Sequence, residues 1–323
     1  MTGTLVISLD FELMWGVRDH RSVSEYGDAV MGGRQAIPQI LTQFANSGVR
    51  ATWATVGFVF AQTREEILDH APRLHPKYPT RETSPYAFLE NGLGRNEKED
   101  PLHFGHSLVA QIAETEGQEI ATHSFSHFCC LEPDHSPEAF AADLAAARSI
   151  AEAKGHCIKS IVFARNQMSE PFISRLASNG IETYRGNPST FAYRPRSSRE
   201  TSSLIRAARL LDSVAPVTAR LDYEEPVPNG EAINVPASRF LRPFNPKLPA
   251  LSRLHLRRIH RELEIAARDG RIYHLWWHPH NMGRNMAENL AQLSSILKRF
   301  VDLRERFGMK SFAMHDLVGS PQK

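Results

Sequence analysis

Short apolar runs alternate in this chain with longer amphipathic segments, and nearly every apolar run stops at a conspicuous polar motif. The runs are residues 5–10, 49–56, 119–122, 158–164, 271–277 and 310–314, with 233–235 a further short one. Each has the length of a β-strand. The segments between them carry helix punctuation. Helices are expected over residues 33–46, 139–154, 170–178 and 251–268, each followed by a glycine (Gly48, Gly155, Gly180, Gly270), and over 286–307. Ser136-Pro137-Glu138 opens the second of these with a capping hydroxyl and a first-turn proline. Glycine accepts the left-handed residue that ends a helix. Strands and helices in alternation build a parallel sheet, open or closed into a barrel. Right-handed crossovers end all the strands on one side, so the polar motifs that follow them converge.

Residues 63–105 and 187–249 are polar, irregular and too long for simple connections. They read as insertions over the strand ends, within one domain spanning residues 1–323, with one helix expected at 201–211. Tyr78, Tyr86 and Phe88 read as loop anchors rather than substrate contacts, and His103 and His106 as structural.

Among the polar motifs, His123-Ser124-Phe125-Ser126-His127 is the most telling. Residues four apart share one face of a turn, and imidazole is the commonest protein ligand for zinc and similar ions. A catalytic ion needs a third ligand and one position open to water. Asp10-Phe11-Glu12 ends the first strand, and residues two apart on a strand face the same side, so both acids share one cavity. Singly these pieces are weak. A His pair at this spacing arises easily by chance in a chain with 15 His, and a carboxylate pair at a strand end is often a cap. Arg165-Asn166-Gln167 and His278-Pro279-His280-Asn281 also follow strands. Four motifs at four strand ends fall where α/β barrels place their chemistry.

Composition narrows the class. With 323 residues, 41% hydrophobic and 23% charged, the chain can bury a large core. A net charge of +2 predicts no general affinity for nucleic acid or anionic membranes. No apolar run reaches the length of a transmembrane helix, and no secretory leader precedes the first strand, so a cytoplasmic location is expected. The three cysteines, Cys129, Cys130 and Cys157, make no disulfide framework and suit a reducing compartment. Cys129 and Cys130 read as buried packing rather than soft metal ligands.

In their order the four motifs resemble a divergent branch of the polysaccharide deacetylase family, the family 4 carbohydrate esterases with the chitooligosaccharide-deacetylase homology domain. The resemblance covers roughly residues 4–314. Its most specific part is His123 to His127, which matches the family's His-Ser/Thr-x-x-His. It implies an α/β fold, a distorted (β/α) barrel with seven or eight mostly parallel strands. It also implies metal-dependent hydrolysis of an acyl group on a sugar. Glu12, His123 and His127 would hold a divalent metal, zinc first. Asp10 would be the base, oriented by Arg165, and His278 the acid with His280 in reserve. Trp15, Asn166, Trp277 and His280 are the candidate substrate contacts, although Trp15, Trp276 and Trp277 are more often core residues. Three departures stand out. Phe11 separates acids that the family usually has adjacent, so the roles of Asp10 and Glu12 can be exchanged. Gln167 stands where proline is usual. Leu275-Trp276-Trp277-His278 has one residue more than the family's Leu-x-His.

The expected substrate is an acylamino sugar or carrier-linked saccharide, losing acetyl or formyl during O-antigen or capsule biosynthesis. The insertions would favour a short or terminal sugar. Arg185, Arg194, Arg196, Arg199, Arg206 and Arg209 read as surface charge or as phosphate contacts. Rival readings are a glycosidase using Asp10 and Glu12, and a non-catalytic carbohydrate-binding relative.

Overall fold

The computed structural model describes residues 2–215 and 220–318. Its strands are β1 (Thr4–Phe11), β2 (Ala51–Thr55), β3 (Gln118–Thr122), β4 (Ser160–Val162), β5 (Thr183–Arg185), β6 (Val227–Asn229), β7 (Ala232–Asn234), β8 (Arg239–Phe240), β9 (Ile272–Trp277) and β10 (Lys310–Phe312). They form one sheet in the order β6-β7-β5-β4-β3-β2-β1-β9-β8, and β10 lies against the start of β1. All strand pairs are parallel except the β6–β7 hairpin.

The sheet closes through one stretch of chain. The Val235 and Ala237 amides donate to the Tyr184 and Gly186 carbonyls at 2.9 and 2.8 Å, on the β5 side. The Ser238 and Leu241 amides then donate to the His274 and Trp276 carbonyls, both at 2.8 Å, on the β9 side. The stretch from β7 to β8 thus joins β5 to β9 and completes a distorted α/β barrel. The 187–249 segment is therefore not only an insertion, because part of it is barrel wall. Of this wall the sequence shows only the run 233–235, because the two-residue β8 beyond Pro236 leaves no readable periodicity.

Strand parity sorts the side chains. Val6, Ala54, Val162, Val235 and Ile272 join Met314 and Leu317 in a small apolar plug inside the barrel. Leu5, Ile7, Leu9 and Phe11 point the other way, into the large core under the helices. Ser8 and Asp10 share the face of Val6, so they rise from the plug toward the mouth.

The first helix, Val23–Ser47, starts earlier than expected because Ser22 and Glu25 form a reciprocal capping box. It lies directly on the turn Pro279–Met282. A Cβ at Gly33 would stand 2.6 Å from the His280 Cα, and one at Gly32 would stand 2.2 Å from the Gly283 carbonyl oxygen. Only glycine permits this approach. Residues 63–105 hold two short helices, Arg64–His70 and Pro85–Asn91. No described helix is long and apolar enough to cross a membrane.

Candidate active site

The mouth of the barrel gathers Glu12, His123 and His127, whose ligand atoms lie within 4.8 Å of one another. Glu12 Oε2 is 3.3 Å from His123 Nε2 and 3.2 Å from His127 Nε2. His123 Nδ1 lies 2.8 Å from the Val162 carbonyl and must donate to it, which leaves Nε2 as a bare acceptor in the neutral ring. That buried Nε2 has no hydrogen-bond partner among the described residues. A lone pair facing a carboxylate at this distance calls for a cation between them. Two imidazoles and one carboxylate are a donor set that fits a divalent ion of the zinc type. Burial pushes the Glu12 carboxyl up, but His278, His123 and His127 outweigh it and hold it well below the usual carboxylate range. Gly16 makes room for this carboxylate, since a Cβ there would stand 2.0 Å from Glu12 Cδ.

The loop carrying both histidines is strained and braced. Ser124 (φ 65°) and His127 (φ 59°) are left-handed, as are Leu13, Arg165 and Asn166 around the same mouth. Such residues cost on the order of 1–3 kcal/mol each and persist where surroundings enforce them. Here the brace is Asp143, buried on the helix Pro137–Ala153. It accepts the Phe125 amide at 2.7 Å, the Ser126 amide at 3.2 Å and the Ser126 hydroxyl. The thiols of Cys129 and Cys130 are buried and pushed up, Cys129 to about 12, so neither supplies a thiolate near neutral pH.

Asp10 meets a different arginine from the one expected. Arg185, at the end of β5 and fully buried, donates to Asp10 Oδ1 at 2.6 Å and to Oδ2 at 2.8 Å. It also donates to Ser8 Oγ at 3.0 Å and Asn166 Oδ1 at 2.9 Å, and its guanidinium sits 4.1 Å from the Trp276 ring. Burial alone would raise the Asp10 carboxyl; Arg185, with His123 and His278, lowers it overall. Arg165 points elsewhere. From its left-handed turn it donates to Asp19 at 2.5 Å and to Ser198 Oγ at 2.8 Å, so it ties two loops together across the mouth. Gln167, in the usual proline position, likewise staples loops: Oε1 accepts the Leu131 amide at 2.9 Å and Nε2 donates to Glu132 at 2.7 Å.

The remaining expected residues divide. His278 Nε2 is 3.6 Å from Asp10 Oδ2 and 3.7 Å from Glu12 Oε1, while Nδ1 faces Asn281 Oδ1 at 3.1 Å. His280 stacks on His278 with ring centres 5.0 Å apart and places Nε2 3.9 Å from Glu12 Oε1. Burial, then His278, pushes His280 down to about 3. Asn166 is engaged by Arg185, and its carbonyl accepts Asn187 Nδ2 at 3.0 Å. Trp15 packs edge-on against Phe58 and Phe88 and donates Nε1 to the His103 carbonyl at 2.8 Å, with part of its ring lining the groove beside His127. Trp277 is not a substrate contact. It is fully buried against Phe44, on the outward face of β9, and Trp276 holds the inward place next to Arg185.

No protein-family model matches this sequence, and no curated protein matches it either. Solved structures do match. A chain described as a polysaccharide deacetylase from Mycobacterium smegmatis aligns at TM-score 0.59 and 13% identity, over 98% of this chain and 88% of that one. Another from Pseudomonas aeruginosa PAO1 aligns at TM-score 0.52 and 11% identity, over 97% and 88%. The α-amylase AmyC from Thermotoga maritima aligns at TM-score 0.57 and 11% identity, over 100% and 76%. At such identities the likeness is one of architecture: this chain has the polysaccharide-deacetylase barrel fold, which the amylase shares.

Proposed function

We propose that this protein is a metal-dependent hydrolase that removes an acetyl or formyl group from an acylamino sugar. The observation that carries the reading is the juxtaposition of the Glu12, His123 and His127 cradle with the Arg185-clamped Asp10 and with His278. A divalent ion in the cradle, zinc in the first instance, would supply Lewis acidity that activates water at neutral pH and polarises an acyl carbonyl. Asp10 then takes the proton of the attacking water, its carboxylate kept ionised and aimed by Arg185. His278 Nε2, facing both carboxylates, gives a proton to the departing amine.

The amylase-like alternative suits this site poorly. A glycosidase needs one carboxyl that stays protonated near neutral pH to act as acid. Asp10 and Glu12 are both lowered, so neither holds that proton. The finer reading is an aminosugar precursor of surface polysaccharide handled inside the cell. The loop tie between Arg165, Asp19 and Ser198 supports a short or terminal sugar over a threaded polymer.

The test is mass spectrometry of acylamino sugars, sugar nucleotides and chitin oligomers incubated with the zinc-loaded protein. Loss of acetyl or formyl from the small substrates is expected, and Asp10→Asn should keep the metal while slowing the reaction by ~10²-fold or more. Release of free sugar without acyl loss would replace this reading with the glycosidase.

A further inference from the structure

We propose that the cavity adjoining the catalytic centre is an oxyanion subsite that binds a phosphoryl group carried by the acylamino-sugar substrate. The inference rests on the hydrolase reading, which it deepens by naming the substrate class. The cavity, about 270 Å³, reaches Trp276 and His278 at the end nearest the chemistry. Its wall carries Arg165, Arg194, Arg196, Arg209, Arg239 and Arg242, and no aspartate or glutamate.

Two of these arginines are balanced from outside the wall. Arg165 pairs with Asp19, and Arg239 pairs with Glu262 and Asp212. The other four have no carboxylate partner among the described residues; Arg194 stands exposed at the lip, while the remaining three are partly buried. Arg209 Nε is held by the Ala192 carbonyl at 2.8 Å, and Arg196 Nη2 by the Phe191 carbonyl at 2.8 Å. Both are half-buried, so neutral carbonyls fix their positions without cancelling their charge. Arg242 Nε is buried and has no hydrogen-bond partner among the described residues. Burial lowers the Arg242 guanidinium, and Arg239 and Arg209 lower it further by repulsion. Arg209 is lowered by burial and then by Arg196.

Like charges gathered in a partly dry cavity, with a buried donor unpaired, cost stability that a bound anion returns. Guanidinium forks match phosphoryl oxygens two at a time. Phosphoryl and diphosphoryl groups bring more charge than a single carboxylate, and four unbalanced arginines favour the more highly charged partner. A substrate with its charged end in the cavity lies against His278 with its neighbouring part. This disposition fits an acylamino sugar esterified to phosphate, whether the phosphate belongs to a nucleotide or to a lipid carrier.

Calorimetry on the zinc-loaded protein with glucose 1-phosphate, glucose and glucuronate tests the subsite. Glucose 1-phosphate should bind ~10- to 100-fold more tightly than the other two, the range given by one charge-assisted hydrogen bond. Arg209→Gln/Arg242→Gln should erase that preference. The same variant should leave hydrolysis of the neutral ester para-nitrophenyl acetate within about twofold of wild type, as expected for groups outside the chemistry. If this pair does not fold, Arg194→Gln/Arg196→Gln at the lip gives the same comparison. Raised KM for a nucleoside-diphosphate or a polyprenyl-diphosphate acylamino sugar in the variant identifies the source of the phosphate. Equal binding of the three probes, preference for glucuronate, or a preference that survives both variants overturns the proposal. Phosphate-selective binding in a protein that hydrolyses no acyl substrate would keep the subsite and remove the hydrolase reading.

Discussion

Gly16→Ala isolates the cradle without touching a ligand. The added Cβ would stand 2.0 Å from Glu12 Cδ and Oε1, and 2.4 Å from Oε2. Ordinary van der Waals contact begins at 3.4 Å, so the carboxylate must retreat by 3.4 − 2.0, about 1.4 Å. Metal–ligand distances tolerate roughly ±0.2 Å. The displaced carboxylate therefore cannot share an ion with His123 and His127 where they stand. Disturbing outer support of a metal ligand costs ~10- to 100-fold in affinity, and moving the ligand itself costs at least the upper figure, about 2.7 kcal/mol. Gly16 is not among the left-handed glycines, so alanine adds no backbone strain and the fold should persist. Competition for zinc against a chromophoric chelator measures the affinity, and circular dichroism checks the fold. A folded Gly16→Ala protein with wild-type zinc affinity would remove Glu12 from the ligand set.

Further outcomes follow from other parts of the site. Arg185→Met strands a buried Asp10 carboxylate and should destabilise by ~3–5 kcal/mol in urea unfolding. Arg165→Met breaks a partly exposed pair and should cost about 1 kcal/mol or less; the reverse ranking would contradict the assignment of Arg185. His278→Ala should lower kcat by ~10²-fold or more with zinc retained, and His280→Ala should act less; the opposite result moves the acid role to His280. Burial pushes the Asp143 carboxyl up to about 6 against opposing hydrogen bonds from Ser126 and Phe125. The native state then keeps this proton to higher pH than the unfolded chain, so the stability it contributes is present below about pH 4 and lost by about pH 6. Relative to Asp143→Asn, the wild type should lose no more than roughly 3 kcal/mol across that interval, and parallel pH profiles of the two proteins would refute the shift.

The legible parts of this molecule were those whose spacing is local. Asp10 with Glu12, and His123 with His127, announce shared faces within a few residues. The Asp10 partner was hidden because Arg185 lies on a three-residue strand, 175 positions away. A usable signal existed: Thr183 and Arg185 share one face of β5, as Ser8 and Asp10 do on β1. The same parity argument separates the tryptophans, since an inward His278 makes Trp276 inward and Trp277 outward. Arg165 misled because its motif stands after a strand in the expected order, while the left-handed turn that redirects it has no glycine to mark it. Of the closing wall, β7 is foreshadowed by the run 233–235, whereas β8 is obscured by being two residues long, beyond Pro236, in a polar stretch.

The join between β5 and β9 also governs time. Arg185 stands on one lip of that seam and Trp276, which covers it, on the other. Few backbone hydrogen bonds hold the lips together, whereas β1 and β9 pair along six residues. Local openings draw on the least protected joints of a structure. An opening here would let water reach Arg185 and would free Asp10 from its clamp. Deuterium uptake at the Val235, Ala237, Ser238 and Leu241 amides is therefore expected to report how often the Arg185–Asp10 pair is exposed. A ligand lodged across the lips would slow the exchange at these four amides while leaving the β1–β9 ladder as it was.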